Sequence, residues 1–260
     1  MLLPTVIAAG IVGLTIGSFL NVVIWRVPRG ESVVRPPSHC PGCDREIGPR
    51  DNIPVLSWLL LRGRCRHCGI RISVRYPAVE LATAVLFAVV AYRIGLVPEL
   101  PAYLYLTAIG VALAVIDLDH RRLPNALTLP SYVVIGALLT GASAVTGDWW
   151  ALVRAAIGMT VYYGLLFVLA VAVPRGMGFG DVKLAGVLGM ALAWLGWGEL
   201  LAGFFLGFAY GALVSIALIA LGRAGRKSTV PFGPFLVAGA LTAVLYGHEL
   251  AHVYVSATLG

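Results

Sequence analysis

Charge is scarce in this chain. Asp, Glu, Lys and Arg make up 12% of its 260 residues, while 59% are hydrophobic. With a mean hydropathy of +0.90, this excludes an ordinary soluble domain, in which charged residues reach about a quarter of the sequence. Cysteine is also sparse: all four lie between residues 40 and 68, so no disulfide framework can span the chain. No G-x-G-x-x-G motif is present, which removes a Rossmann-type nucleotide fold, and there is neither an internal repeat nor a low-complexity tract. The net charge of +7 is not interleaved with stacking aromatics on a soluble segment, so nucleic acid is not an expected partner.

What the chain has instead is length in apolar runs. A helix crossing the hydrocarbon needs about 20 mostly apolar residues. Eight stretches qualify: Leu2 to Trp25, Ala78 to Val97, Ala102 to Ile116, Ala126 to Val145, Trp150 to Val173, Leu184 to Trp197, Leu200 to Leu221 and Phe232 to Val255. The last-but-one pair comes from one long run, divided at Gly196-Trp197-Gly198-Glu199. The expected fold is an all-α polytopic membrane protein of about eight transmembrane helices.

The basic residues orient it, because cytoplasmic loops carry the positive excess. Seventeen of the 19 Lys and Arg fall in four segments: residues 26 to 75, Arg121 and Arg122, Arg175 and Lys183, and Arg223, Arg226 and Lys227. Eight crossings with both termini outside put all four in the cytoplasm, where they also favour anionic headgroups of the bilayer. The first run lacks a positive segment ahead of it and is followed by Arg26 and Arg29, so it reads as a retained span and not a cleaved signal.

One loop is long enough to be a domain, giving an expected organisation of a first helix (residues 1–25), a cytoplasmic loop domain (26–77) and a seven-helix membrane core (78–260). A segment the size of the loop buries little apolar surface and needs a staple. Cys40-Pro41-Gly42-Cys43 and Cys65-Arg66-His67-Cys68 supply one: two C-x-x-C knuckles suit a tetrahedral four-thiolate zinc site, and a reducing cytoplasm disfavours disulfides. Such a site is structural, since four thiolates leave no position for water. His39 and His67 are the substitute ligands.

Two acidic motifs end up on the same face. Asp117, in Ile116-Asp117-Leu118-Asp119, closes the third span, and Asp181, in Gly178-Phe179-Gly180-Asp181-Val182-Lys183, precedes the sixth. Carboxylates at a membrane boundary are costly and point to function. A close pair cannot readily ionise together, so one keeps a proton while the other acts as base toward a shared water, as in aspartic proteases. Gly178 and Gly180 leave room for a substrate backbone. The plainer readings are a helix-capping Asp181 and, for Asp119 beside Arg121 and Arg122, a solvated ion pair. Glu80 either pairs structurally or helps line the site. Glu99, Asp148, Glu199 and Glu249 fall on the outer side, and His248 and His252 share a helical face without further ligands. The glycines at 13 and 17, and at 203, 207 and 211, suit close helix packing. A transporter, or a zinc-stapled scaffold without catalysis, are the rival readings.

The combination resembles the type IV prepilin peptidase family. It comprises Gly17-Ser18-Phe19-Leu20-Asn21-Val22-Val23 with Arg26-Val27-Pro28, the double C-x-x-C loop, Arg75-Tyr76-Pro77 leading to Glu80, and Asp117 with Leu123-Pro124-Asn125. The G-x-G-D segment and Pro231-Phe232-Gly233-Pro234-Phe235 complete it. The resemblance implies Asp117 and Asp181 as a catalytic pair supported by Gly178, Gly180, Lys183 and Glu80. It favours Asp117 over Asp119, because the family's aspartate stands seven residues before the Pro of its Leu/Ile-Pro pair. It further implies cleavage of prepilins or pseudopilins after a glycine at the cytoplasmic membrane face. Methylation of the new N-terminus from S-adenosylmethionine follows, in the inner membrane of a bacterium with type IV pili or type II secretion.

Overall fold

The computed structural model describes residues 2–173, 177–223, 225 and 230–259; Arg175, Arg226, Lys227 and the side chain of His252 lie outside the described set. Helices dominate, and the described residues form no strand, only the isolated bridges His39–Glu46 and Arg64–Arg71. The chain divides into two compact units, residues 1–96 and 97–260.

In the first unit α1 (Leu2–Arg26) packs on α3 (Arg75–Ile94), with the cysteine loop and the short α2 (Leu56–Leu60) between them in sequence. The two long helices run antiparallel, Gly13 lying against Ala84 and Gly17 against Glu80. A Cβ on Gly17 would stand 2.7 Å from Glu80 Cα, so the expected role of these glycines, close helix approach, is what the structure displays. Asn21 extends the seam by donating to the Tyr76 carbonyl at 3.1 Å.

The second unit holds α4 (Leu100–His120), α5 (Asn125–Thr146), α6 (Trp149–Ala172), α7 (Phe179–Leu195), α8 (Trp197–Ala220) and α9 (Gly233–Leu259). Its centre is α7, whose residues from Leu184 to Trp194 are all buried. A helix apolar on every side belongs inside a bundle, and its neighbours fasten it by main-chain contacts. Tyr103 of α4 donates to Ala191 O at 2.9 Å and Tyr132 of α5 to Lys183 O at 2.6 Å. Gly158 of α6 and Gly189 of α7 approach so closely that neither tolerates a Cβ.

Arg154 of α6 donates to the carbonyls of Ala193, Trp194 and Leu195 at 2.6, 2.5 and 3.2 Å. Those are the unpaired acceptors at the C-terminus of α7, where a cation also complements the helix dipole. The row Gly203, Gly207 and Gly211 of α8 faces α9, again as the spacing predicts.

Among the described residues six helices are long and apolar enough to cross a membrane: α1 with its short 3₁₀ extension, α3, α4, α5, α6 and α8. At 17 residues α7 is about 25 Å long at 1.5 Å per residue, at the lower limit of a crossing helix.

Candidate active site

The second unit brings the two acidic motifs together. Asp117 sits in the last turn of α4, which continues to His120 before Arg121 closes it in the left-handed region at φ 50°. Its side chain is buried, 5% exposed, whereas Asp119 faces outward. Two residues turn a helix by about 200°, so only one of this pair can point into the bundle, and it is Asp117. Its Oδ2 accepts the Gly233 N–H at 3.0 Å.

Asp181 lies in the first turn of α7, 8% exposed, with Oδ2 accepting the Gly178 N–H at 3.2 Å. Gly178 has no side chain to reciprocate, so this is half of a capping box. The capping reading therefore holds, and it leaves the other carboxylate oxygen uncommitted. Asp117 and Asp181 both border Leu123, through Gly233 and Gly180 respectively.

Leu123 fills the corner between the motifs. Its side chain is 3.0 Å from where a Cβ on Gly180 would fall and 3.3 Å from one on Gly233. The same Cβ on Gly233 would come within 2.8 Å of Asp117 Oδ2, so glycine is what lets α9 approach the carboxylate. Lys183 donates to Asn125 Oδ1 at 2.9 Å, tying α7 to the start of α5.

Aromatic rings flank both sides. Tyr163, Phe167 and Phe179 form one row beside Asp181, and Phe204, Phe208, Phe232 and Phe235 form another beside Gly233. Neither row is legible in sequence as a feature of the site, because its members come from α6, α7, α8, α9 and the turn before α9. Glu99, Asp148 and Glu199 begin α4, α6 and α8. On α4 this puts Glu99 at the end opposite Asp117.

In the first unit, Cys40, Cys43, Cys65 and Cys68 converge, their sulfurs all within 4.8 Å of one another. Cys40 Sγ and Cys68 Sγ are 3.7 Å apart, too far for a disulfide and close to the roughly 3.8 Å edge of a tetrahedron with 2.3 Å metal–sulfur bonds. The two knuckles are local copies. Each first cysteine donates its N–H five residues on and accepts from four residues on, at Cys40–Arg45 and Cys40–Asp44, then at Cys65–Ile70 and Cys65–Gly69. Asp44 and Gly69 occupy equivalent positive-φ positions at 56° and 70°.

The N–H of Cys68, then that of His67, holds the Cys65 thiol down at about 6. At Cys68 the Ile70 N–H pulls the same way, but burial and the neighbouring thiols prevail and push it up to about 11. A divalent cation held by the four sulfurs would relieve that conflict by favouring the thiolate of each. His67 Nδ1 instead meets Arg45 at 3.1 Å, and His39 stands 3.7 Å from Asp44, so the histidines are not in the cluster. Glu80, 8% exposed, accepts the Val55 N–H at 2.7 Å. Val55 is held at φ 60°, a conformation costly for a β-branched residue.

A bundle of long apolar helices that buries one aspartate on each of two helices, one of them in a G-x-G-D turn, has the parts that a membrane aspartic site requires. The chain matches the Bacterial Peptidase A24 N-terminal domain over residues 11–94 and the Type IV leader peptidase family over residues 104–216. It is 36% identical to the prepilin leader peptidase/N-methyltransferase of Stutzerimonas stutzeri, covering 97% of this chain and 94% of the relative. Similar proteins of the same description occur in Aeromonas hydrophila (40%, covering 94% and 91%) and Bacillus subtilis (36%, covering 96% and 98%). No solved structure matches. The chain belongs to the type IV leader peptidase family.

Proposed function

We propose that this chain is a membrane aspartic endopeptidase that removes the leader of type IV prepilins or pseudopilins after a glycine and N-methylates the new terminus. The observation that carries the reading is the burial of Asp117 of α4 and Asp181 of α7, with Leu123 packed against the glycines beside both. Membership in the family leaves the transporter and scaffold readings without support.

In this mechanism one carboxylic acid of the pair donates a hydrogen bond to the scissile carbonyl while the other carboxylate takes a proton from a shared water. The water oxygen then bonds to the carbonyl carbon, and the tetrahedral intermediate breaks its C–N bond as the departing nitrogen receives a proton. Gly180 lets Leu123 pack against the G-x-G-D turn, and Gly178 supplies the N–H that steadies Asp181. The Gly233 N–H holds one oxygen of Asp117 and the Gly178 N–H one of Asp181, leaving the second oxygen of each for chemistry. Lys183 positions the turn through Asn125.

A zinc ion fits the four thiolates of Cys40, Cys43, Cys65 and Cys68 and would hold the loop without reacting. S-adenosylmethionine, when bound, supplies an electrophilic methyl group that the freed amine takes, with its proton going to water and a neutral thioether leaving. We assign eight crossings with both termini outside, which puts residues 26–77 and both aspartates at the cytoplasmic face of the inner membrane.

Purified protein in detergent should convert a prepilin to a shorter product with a glycine-ended leader, read by mass spectrometry. Intact prepilin after long incubation would overturn the assignment. Within the site, Gly233→Ala should lower kcat/KM for leader release by roughly 10- to 100-fold, since a displaced carboxylate loses alignment. Gly141→Ala, with open space around that position, serves as the control. Equal rates for the two would remove Gly233 from the site.

A further inference from the structure

The short α2 is built inside out. Its buried residue is Ser57, 6% exposed, whose hydroxyl accepts the Ile53 N–H at 3.0 Å and donates to the Arg50 carbonyl at 2.9 Å. Leu56, Leu59 and Leu60 share the outward face at i, i+3 and i+4, and they are 48%, 58% and 73% exposed. A helix on the surface of a soluble domain has the reverse arrangement, and a contiguous apolar patch left in the open marks an interaction surface.

The fold sets that face at the level of the spans. Val55, just ahead of α2, donates its N–H to Glu80 at 2.7 Å, and Glu80 packs on Gly17 of α1. Along the helix axes Glu80 stands about 7.5 Å in from Arg75 and Gly17 about 13 Å in from Arg26. The loop also folds back along α1: Val34 and Pro54 stand across a groove of about 320 Å³ from Thr15, Phe19 and Val22, all within the stretch long and apolar enough to cross a membrane. The start of α2 therefore lies beside the ends of α1 and α3 and not beyond them.

Charge completes the surface. Arg62 comes two residues after Leu60, and Arg64 and Arg71 oppose each other across an isolated antiparallel bridge on either side of the second knuckle. All three are exposed, and among the described residues none of them forms a salt bridge, whereas Arg66 is committed to Asp51. Like charges directly opposite one another repel, so the bridge pair gains from an anion held between its guanidinium groups. Trp58 Nε1 donates to Ile72 O at 3.1 Å and the Ile72 N–H to Gly63 O at 2.7 Å. These bonds fix the leucines and the arginines in one frame.

We propose that α2 docks on the bilayer surface, seating Leu56, Leu59 and Leu60 at the boundary between headgroups and acyl chains, with Arg62, Arg64 and Arg71 on the phosphates of anionic phospholipid. Such a segment combines buried apolar area with attraction to anionic lipid. The cysteine loop is then a membrane-interface module, in which the second knuckle sets the arginines beside the apolar face. The inference rests on α1 and α3 crossing the membrane.

The test places a photoreactive benzoylphenylalanine at position 60 of the full chain, reconstituted in nanodiscs of phosphatidylcholine alone or mixed with phosphatidylglycerol, and identifies what it captures by mass spectrometry. Lipid adducts are expected in both, at least about threefold more with phosphatidylglycerol, since each arginine near an anionic surface strengthens attachment. Arg64→Gln with Arg71→Gln should remove that difference, with zinc content and thermal midpoint reporting folding. Should the double variant unfold, hydrogen exchange of residues 56–62 in wild type decides: slower exchange in the anionic discs supports the docking, and equal exchange overturns it. Equal capture of lipid by wild type in the two discs also overturns it, as does capture of added pilin in preference to lipid, which would make the face a protein-binding surface. The same photoreactive group in place of Val12, 50% exposed on α1, tests the crossing. Lipid capture there without capture at position 60 fails only the docking, whereas capture at neither position fails the crossing as well.

Discussion

Asp117→Asn and Asp181→Asn are each expected to lower the rate of leader cleavage by at least about 10³-fold, the scale of a lost general acid or base acting in a unit. An amide can neither take the proton from water nor supply one to the departing nitrogen. Both variants should remain folded, because Asn keeps the side-chain oxygen that accepts from Gly233 in one case and Gly178 in the other. Asp119→Asn should cleave within about twofold of wild type, as expected for an exposed charge. Initial rates by gel shift, with membrane insertion checked in parallel, measure all three. Normal processing by either of the first two would dissolve the pair, and a loss confined to Asp119→Asn would move the chemistry one helical face around.

How far such a site could be read from sequence depended on whether its parts are local. The long helices follow from apolar runs bounded by charge or glycine, and the break at Gly196 falls where the Gly196–Glu199 cluster placed it. Helix ends were less legible. The expected stop at Ile116 is really at His120, and the run expected from Leu184 begins at Phe179. Both shifts have one cause: polar turns read as boundaries in sequence, whereas the helices continue through them and bury one face. Asp117 and Asp181 therefore stand inside helix termini and not beyond them.

Long-range features left no local mark. The Gly233 N–H reaches Asp117 across 116 residues, and Arg154 meets the end of α7 only because α6 packs against it. The cysteine spacing announced a metal site but not the matched hydrogen bonding of its two knuckles, which appears only when Asp44 and Gly69 are compared by φ. The short α2 was unexpected. Its five residues start from Val55, whose backbone is held by Glu80 of α3, so the helix depends on a contact between segments.

The other large effect is expected when the knuckles are opened. Cys40→Ser with Cys68→Ser removes two of four ligands, one from each knuckle, and metal analysis should fall from about one zinc per chain to near none, since a two-thiolate remnant binds far more weakly. Folding of residues 26–77 is linked to that binding, so the loop should become protease-sensitive. Methylation of a pre-cleaved pilin, which in this reading goes with the zinc loop, should drop by at least about tenfold, because the first knuckle orders the Ser38–Ile47 turn and the second the Arg66–Asp51 pair. The aspartates are carried by α4 and α7 and their main-chain partners by residues 178 and 233, all of the second unit, whereas the cysteines belong to the first, so leader cleavage should outlast methylation. The reciprocal variant completes the separation: Asp181→Asn given pre-cleaved pilin should still methylate it, as mass spectrometry of the N-terminus will show. Loss of methylation in Asp181→Asn would merge the two sites, and a metal-free chain with an intact, protease-resistant loop would leave the knuckles without their staple.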